Sequence, residues 1–254
     1  MALKPVSLEE MQRGKLMLVY GAPGTGKSTF AARFASARSV KERAVILDME
    51  VGIREAIMQV TVSAKGFKPV LFDLSNPTPT MTADLVQLLR QVQTMDDVTL
   101  VVLDTLSELT WSLLQGLCGM KDPTLKIYGE RKKNLRLILM ELRNLTKTGK
   151  DVLVLTHETV GEVEGLPGYY APACPDRDRA DIVGIFDLVG RLQVATKANA
   201  AALQLNPGER FINLIQDPQY VSKCRYPLFA GGQPHVLNIH SLEQVNNLAD
   251  KLQS

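Results

Sequence analysis

Apolar positions along the chain fall into two periods. Residues 15–20 (KLMLVY), 44–47 (AVIL), 99–103 (TLVVL) and 152–155 (VLVL) are short, nearly unbroken apolar runs bounded by glycine or polar residues. That pattern predicts strands covered on both faces, and a weaker run at 69–74 predicts one more. Between them the spacing becomes helical. The segment after Lys27 is helix-compatible to about residue 37, and at 82–92 the side chains of Leu85, Leu88, Leu89 and Val92 share a face. At 130–146 a stripe of Leu135, Ile138, Leu142 and Leu145 runs up to Gly149, a usual helix stop. Strands alternating with helices predict a largely parallel sheet with helices on both faces.

The second half is patterned differently. Residues 161–181 (GEVEGLPGYYAPACPDRDRAD) are rich in Gly, Pro, Asp and Arg, which predicts a long mobile loop. Two further strands are expected at 188–194 and 210–215, and a last helix at about 241–252. There are no internal repeats and no low-complexity tracts, so one domain over 1–254 is expected, with its core at about 15–230.

Composition narrows the class. With 254 residues, 45% of them hydrophobic and 22% charged, the chain can bury the core of one large α/β domain. No run approaches the roughly 18 apolar residues of a membrane span, and MALKPVSLEEMQRGK lacks the apolar centre of a secretory signal. The expectation is a cytoplasmic protein without a membrane partner. Cys118, Cys174 and Cys224 are odd in number and widely spaced, which fits reduced thiols and neither a disulfide framework nor a zinc site. A net charge of +2 does not by itself argue for nucleic acid.

Candidate chemistry begins at residues 21–28, GAPGTGKS, directly behind the first strand and ahead of the first helix. Gly21, Gly26, Lys27 and Ser28 satisfy the phosphate-loop pattern without mismatch. Ala22, Pro23, Gly24, Thr25 and Thr29 complete the expected cradle, whose backbone N–H groups and helix N-terminus attract phosphate. Lys27 would supply charge to the β- and γ-phosphates and Ser28 a hydroxyl to Mg²⁺. Asp104 ends the TLVVL strand, where a carboxylate holds Mg²⁺-bound water or caps the next turn. Asp48 and Glu50 end the second strand on the same sheet edge, and Glu50 is the candidate for orienting an attacking water, the alternative being an acidic solvated turn before Gly52. His157 follows DVLVLT, placed to sense the γ-phosphate or to cap a surface loop.

Taken in order, GAPGTGKS, LDME, VVLDT, LTHE and YVSKCR resemble the RecA-like ATPases over roughly residues 15–230. The resemblance implies a mostly parallel central sheet flanked by helices, with C-terminal antiparallel strands, and it implies ATP as the nucleotide; no N-K-x-D guanine-reading motif is present. Asp48-Met49-Glu50 matches the Asp-Ala-Glu of RecA with one substitution, implying Glu50 as the water-activating group. His157 is similar to the sensor histidine of the RadA and KaiC branches. Lys223-Cys224-Arg225 resembles the Lys-x-Arg that reaches a neighbouring subunit's phosphates in RadA and the hexameric helicases, implying self-association into a ring or filament, with Lys223 and Arg225 catalytic in trans. LKIYGE and SKCRYPL are most similar to phage-encoded RecA- or RadA-like nucleotide-binding proteins, some of them single-strand annealing recombinases, which would place the chain in a host cytoplasm.

By the same resemblance, single-stranded DNA would be held by segments near 107–130 and 158–181, the second carrying Tyr169, Tyr170, Arg177 and Arg179 among Glu162, Glu164, Asp176 and Asp178. Arg136, Arg143, Lys147 and Lys150 are expected on one face of the helix before the last buried strand, as a solvated face or a phosphate-binding one. Recombination or repair is the first functional expectation. A helicase- or packaging-type motor, a small-molecule kinase and a nucleotide-gated assembly protein remain open beside it.

Overall fold

The apolar runs form the centre of one sheet. A computed structural model describes residues 14–38, 43–63, 67, 69–163, 166–175, 179–214, 219–224, 236–239, 241, 244–245 and 248. In chain order its elements are β1 (Leu16–Gly21), α1 (Lys27–Arg38), β2 (Arg43–Asp48), α2 (Ile53–Ser63), β3 (Val70–Asp73), α3 (Met81–Gln93), β4 (Val98–Asp104), α4 (Leu106–Cys118) and α5 (Leu125–Lys147). They continue with β5 (Asp151–Val163), β6 (Leu166–Pro172), α6 (Arg179–Ile185), β7 (Leu188–Val194), β8 (Arg210–Asn213), β9 (Lys223–Cys224) and β10 (Val236–Asn238). The sheet order is β10-β8-β7-β1-β5-β4-β2-β3, with β6 added to β5 and β9 to β7.

From β7 to β3 every neighbour is parallel, and β8, β9 and β10 extend this core with antiparallel pairings. Parallel strands must be joined by crossovers, so the carboxyl ends of β1, β2 and β4, at Gly21, Asp48 and Asp104, emerge on one edge beside His157, where the parallel pairing of β5 with β1 stops. Side chains of the central strands alternate between two apolar layers. Leu18, Leu47, Leu103 and Val154 face the helices that contribute Leu85, Leu109, Ile138 and Leu142; Val19, Ile46, Val102 and Leu153 face Phe30, Phe34 and Ile53. The result is a mostly parallel mixed α/β sheet flanked by helices. Among the described residues no helix is long and apolar enough to cross a membrane.

Three expectations change. The segment beginning at residue 161 is not a loop throughout: β5 runs on to Val163 and pairs antiparallel with β6, from Glu158–Pro172 to Val163–Leu166. Gly161 lies at a register shift in this pairing and Pro172 ends β6, positions where glycine and proline are common in strands. Second, α5 starts at Leu125, where Thr124 accepts a hydrogen bond from the Ile127 N–H at 3.4 Å, well before its apolar stripe begins. Third, Lys150 does not share a solvated face with Arg136, Arg143 and Lys147. It is buried, and its ammonium donates to the Met95 carbonyl at 2.7 Å. Of the expected helix at 241–252, most lies outside the described residues.

Candidate nucleotide-binding site

Between β1 and α1 the chain turns within five residues, and two glycines make the turn feasible. Gly24 has φ +76° and Gly26 φ +97°, in the left-handed region that side chains disfavour. At Gly21 a Cβ would lie 2.5 Å from the Leu192 carbonyl oxygen, so the strand end also needs glycine for close packing on β7. Thr25 Oγ1 donates to the Ala22 carbonyl at 2.8 Å and braces the loop. Lys27 is buried and folds back along the loop, its ammonium donating to the carbonyls of Gly21 at 3.0 Å and Ala22 at 3.1 Å. Burial holds the Lys27 pKa below the usual lysine range, opposed by Glu50, Asp104 and Glu158. A cation partly stripped of water at a helix N-terminus is a strong phosphate ligand.

Ser28, one residue into α1, donates through Oγ to Asp104 Oδ2 at 2.8 Å. The other oxygen, Oδ1, is buried and has no hydrogen-bond partner among the described residues. Burial pushes the Asp104 carboxyl up to about 6, against the lowering effect of the Ser28 bond. A hydroxyl beside a carboxylate with an unsatisfied oxygen is a donor set that fits hydrated Mg²⁺. Among the described residues no group of three or more His, Cys, Asp or Glu side chains could hold a metal. Such an ion would therefore complete its shell with water and phosphate oxygens.

Glu50 projects from the turn after β2 towards β4 and β5. Its Oε1 accepts from Thr105 Oγ1 at 2.6 Å and lies 2.8 Å from His157 Nε2, while His157 Nδ1 is 3.4 Å from the Lys27 ammonium. An ammonium only donates, which makes Nδ1 the acceptor and puts the imidazole proton on Nε2, facing Glu50. Ser107 joins the network, with Oγ 2.9 Å from Thr105 Oγ1 and accepting from the His157 N–H at 3.3 Å. Lys27, His157, Glu50 and Thr105 thus form one continuous hydrogen-bonded chain across the ends of four neighbouring strands, β1, β5, β4 and β2.

The turn that carries Glu50 is clamped. Asp48, fully buried, accepts from the Val51 N–H at 2.8 Å and from Arg54 Nε at 3.0 Å. Arg54 Nη2 reaches Asp73 Oδ2 at 2.6 Å, tying the turn to the end of β3. Ser75 and Arg54 together hold the Asp73 carboxyl down at about 2. Val51 itself has φ +64°, an unfavourable conformation for a β-branched residue that the Asp48 bond helps hold.

Lys223, on β9, donates to the Gly184 carbonyl at 2.9 Å and the Val183 carbonyl at 3.4 Å, so its ammonium sits at the end of α6 of its own chain. Arg225, Glu164, Asp176 and Arg177 lie outside the described residues. Tyr169 and Tyr170 are on β6, and the Arg191 guanidinium stacks 3.5 Å over the Tyr170 ring while bonding Glu158 at 3.1 Å. One face of the Tyr170 ring is therefore covered by Arg191.

Sequence reasoning missed Thr105, Ser107, Arg54 and Asp73. Thr105 had a signal, because T-L-S-E at 105–108 is a capping box; Thr105 Oγ1 accepts from the Glu108 N–H at 3.3 Å and starts α4. Arg54 and Asp73 had none, since their meeting depends on which strand neighbours β2.

Comparison with known proteins adds two findings. A family profile described as AAA domain (AAA_24) matches residues 13–226. Among solved structures, an ATP synthase subunit, NeqB from Nanoarcheaum equitans, superposes with a TM-score of 0.53 at 14% identity, covering 84% of this chain and 51% of that one. The chain thus spans about half the length of that structure, and the likeness is one of fold. No match was found among curated protein sequences.

Proposed function

We propose, from the premise that this chain belongs to the AAA domain family of P-loop ATPases, that it binds Mg²⁺–ATP and hydrolyses it with Glu50 as the group that orients water. The observation that carries this reading is the hydrogen-bonded chain from Lys27 through His157 to Glu50, beside the Ser28–Asp104 pair. Lys27 would exchange its loop carbonyls for phosphate oxygens, a partner of full opposite charge. Ser28 and Asp104 would hold Mg²⁺, which supplies charge neutralisation on the β- and γ-phosphates. His157, turned between the phosphate lysine and the carboxylate, would register the terminal phosphate and fix the orientation of Glu50. Glu50 would accept a proton from the attacking water, with Thr105 holding the carboxylate in place.

Single-stranded DNA, in recombination, annealing or a phage-type RecA-like role, is the finer reading, and one surface favours it. Trp111 is exposed in the middle of α4, and Met120, Leu125 and Tyr128 are exposed between α4 and the start of α5. Lys121, Lys126, Lys132 and Lys133 are exposed beside them, and the Arg131 guanidinium lies 5.3 Å over the Tyr128 ring. Aromatic faces among cations are the physical requirement for binding single strands. Self-association, with Arg225 and a released Lys223 reaching a neighbour, belongs to the same reading. The test is Mg²⁺-dependent phosphate release from ATP with and without single-stranded DNA, over a range of protein concentrations. Turnover that needs Mg²⁺ and is abolished in Lys27→Ala supports the ATPase reading. Stimulation by DNA, lost when Trp111 and Tyr128 are replaced by Ala, supports the finer one. No turnover under any condition would leave a nucleotide-gated binding protein.

A further inference from the structure

We infer that Arg210 is the nucleobase contact of this site; the inference rests on the ATP reading and extends it to the nucleoside end of the ligand. The sheet order supplies a direction. His157 on β5, Asp104 at the end of β4 and Glu50 just after β2 all lie on one side of β1, whereas β7, β8 and β10 lie on the other. A triphosphate seated on the loop with its terminal phosphate facing Glu50 and His157 therefore runs its nucleoside end towards β7 and β8.

Arg210, the first residue of β8, covers the loop on that side. A Cβ built on Gly26 would lie 2.9 Å from Arg210 Cδ, 3.3 Å from its Nε and 3.5 Å from Ile239 Cδ1. The arrangement is braced from behind: the Ile239 N–H donates to the Arg210 carbonyl at 3.0 Å, and Arg33 Nη1 donates to the Ile239 carbonyl at 2.8 Å. The stem of Arg210 is thus held against the residue that precedes the phosphate lysine. Among the described residues its Nε is buried with no hydrogen-bond partner. A half-buried guanidinium with an unsatisfied donor, set beside a ligand loop, is a costly arrangement that a bound ligand would relieve. A guanidinium offers a flat, weakly hydrated face that stacks on aromatic rings, which a lysine ammonium does not. A nucleobase at the nucleoside end of the triphosphate supplies that ring.

The test measures equilibrium binding of ATP, ADP and inorganic tripolyphosphate, all with Mg²⁺, to the full chain and to its Arg210→Lys and Arg210→Ala variants. Arg210→Lys keeps charge and an aliphatic stem against Gly26, so it decides the question if Arg210→Ala folds poorly. The expected result is a loss of about tenfold in ATP and ADP affinity in both variants, with tripolyphosphate binding unchanged. Equal losses for ATP and tripolyphosphate would assign Arg210 to a phosphate and overturn the inference. So would ATP affinity in Arg210→Lys equal to that of the unmodified protein. If the unmodified protein binds neither ATP nor tripolyphosphate, the ATP reading falls and this inference falls with it.

Discussion

Asp104 carries the strongest electrostatic tension in the site. Its carboxyl is pushed up to about 6 because burial penalises the charge more than Ser28 relieves it. The folded-state pKa is above that of an unfolded aspartate, so the folded chain holds the extra proton between about 4 and 6, and stability falls as pH rises through that window. Asp104→Asn should therefore raise the melting temperature of the nucleotide-free protein at pH 8 and leave it nearly unchanged at pH 4, read by thermal unfolding at both. Mg²⁺ held there, as proposed, would have the opposite effect, favouring the ionised form. Mg²⁺-dependent nucleotide affinity should accordingly weaken as pH drops below about 6 in the unmodified protein. Arg54 bears on a different property. Because it ties Asp48 to Asp73 and touches none of Lys27, Ser28 or Asp104, Arg54→Ala should lower kcat roughly 10- to 100-fold through loosened placement of Glu50, with KM for ATP little changed. Arg54→Lys should recover part of the loss, whereas a loss of activity that matches the unfolded fraction of Arg54→Ala in thermal unfolding would mean that the clamp only supports the fold.

The elements that position these residues were legible where burial on both faces left a continuous apolar signature. The runs at 15–20, 44–47, 99–103 and 152–155 all became central strands, and their ends delivered Gly21, Asp48, Asp104 and His157 to one edge. The stripe of Leu135, Ile138, Leu142 and Leu145 is buried as expected. Elements with weaker apolar signatures were missed. The first ten residues of α5 are mainly exposed and follow from the Thr124 cap rather than from periodicity. The β5–β6 hairpin stands on the outer half of a strand whose inner half alone is uniformly apolar, so its Gly and Pro content read as a loop. Within the site, residues fixed by local motif, GAPGTGKS and the strand-end acids, were visible, while those fixed by strand order, Arg54, Asp73 and Arg210, were not. The hairpin is pinned near β7 by Arg191, which binds Glu158 and stacks on Tyr170. Because Glu158 directly follows His157, Arg191→Ala should free the hairpin and speed amide hydrogen exchange in β6, with a smaller effect in β4.

For the molecule as a whole, one mostly parallel sheet places a phosphate loop, a candidate metal carboxylate and a candidate water-orienting carboxylate on a single edge. The AAA domain match extends over nearly all of that sheet, from residue 13 to residue 226. On the proposed reading binding and turnover should be separable, because Lys27 and Ser28 would act on the phosphates, whereas Glu50 would act on the water. The most direct measurement is single-turnover hydrolysis of bound ATP by the unmodified protein and by Glu50→Gln, with ATP affinity measured on the same samples. The account predicts that Glu50→Gln keeps ATP affinity within a few-fold and hydrolyses at least about 100-fold more slowly. Hydrolysis by Glu50→Gln at the unmodified rate would contradict it.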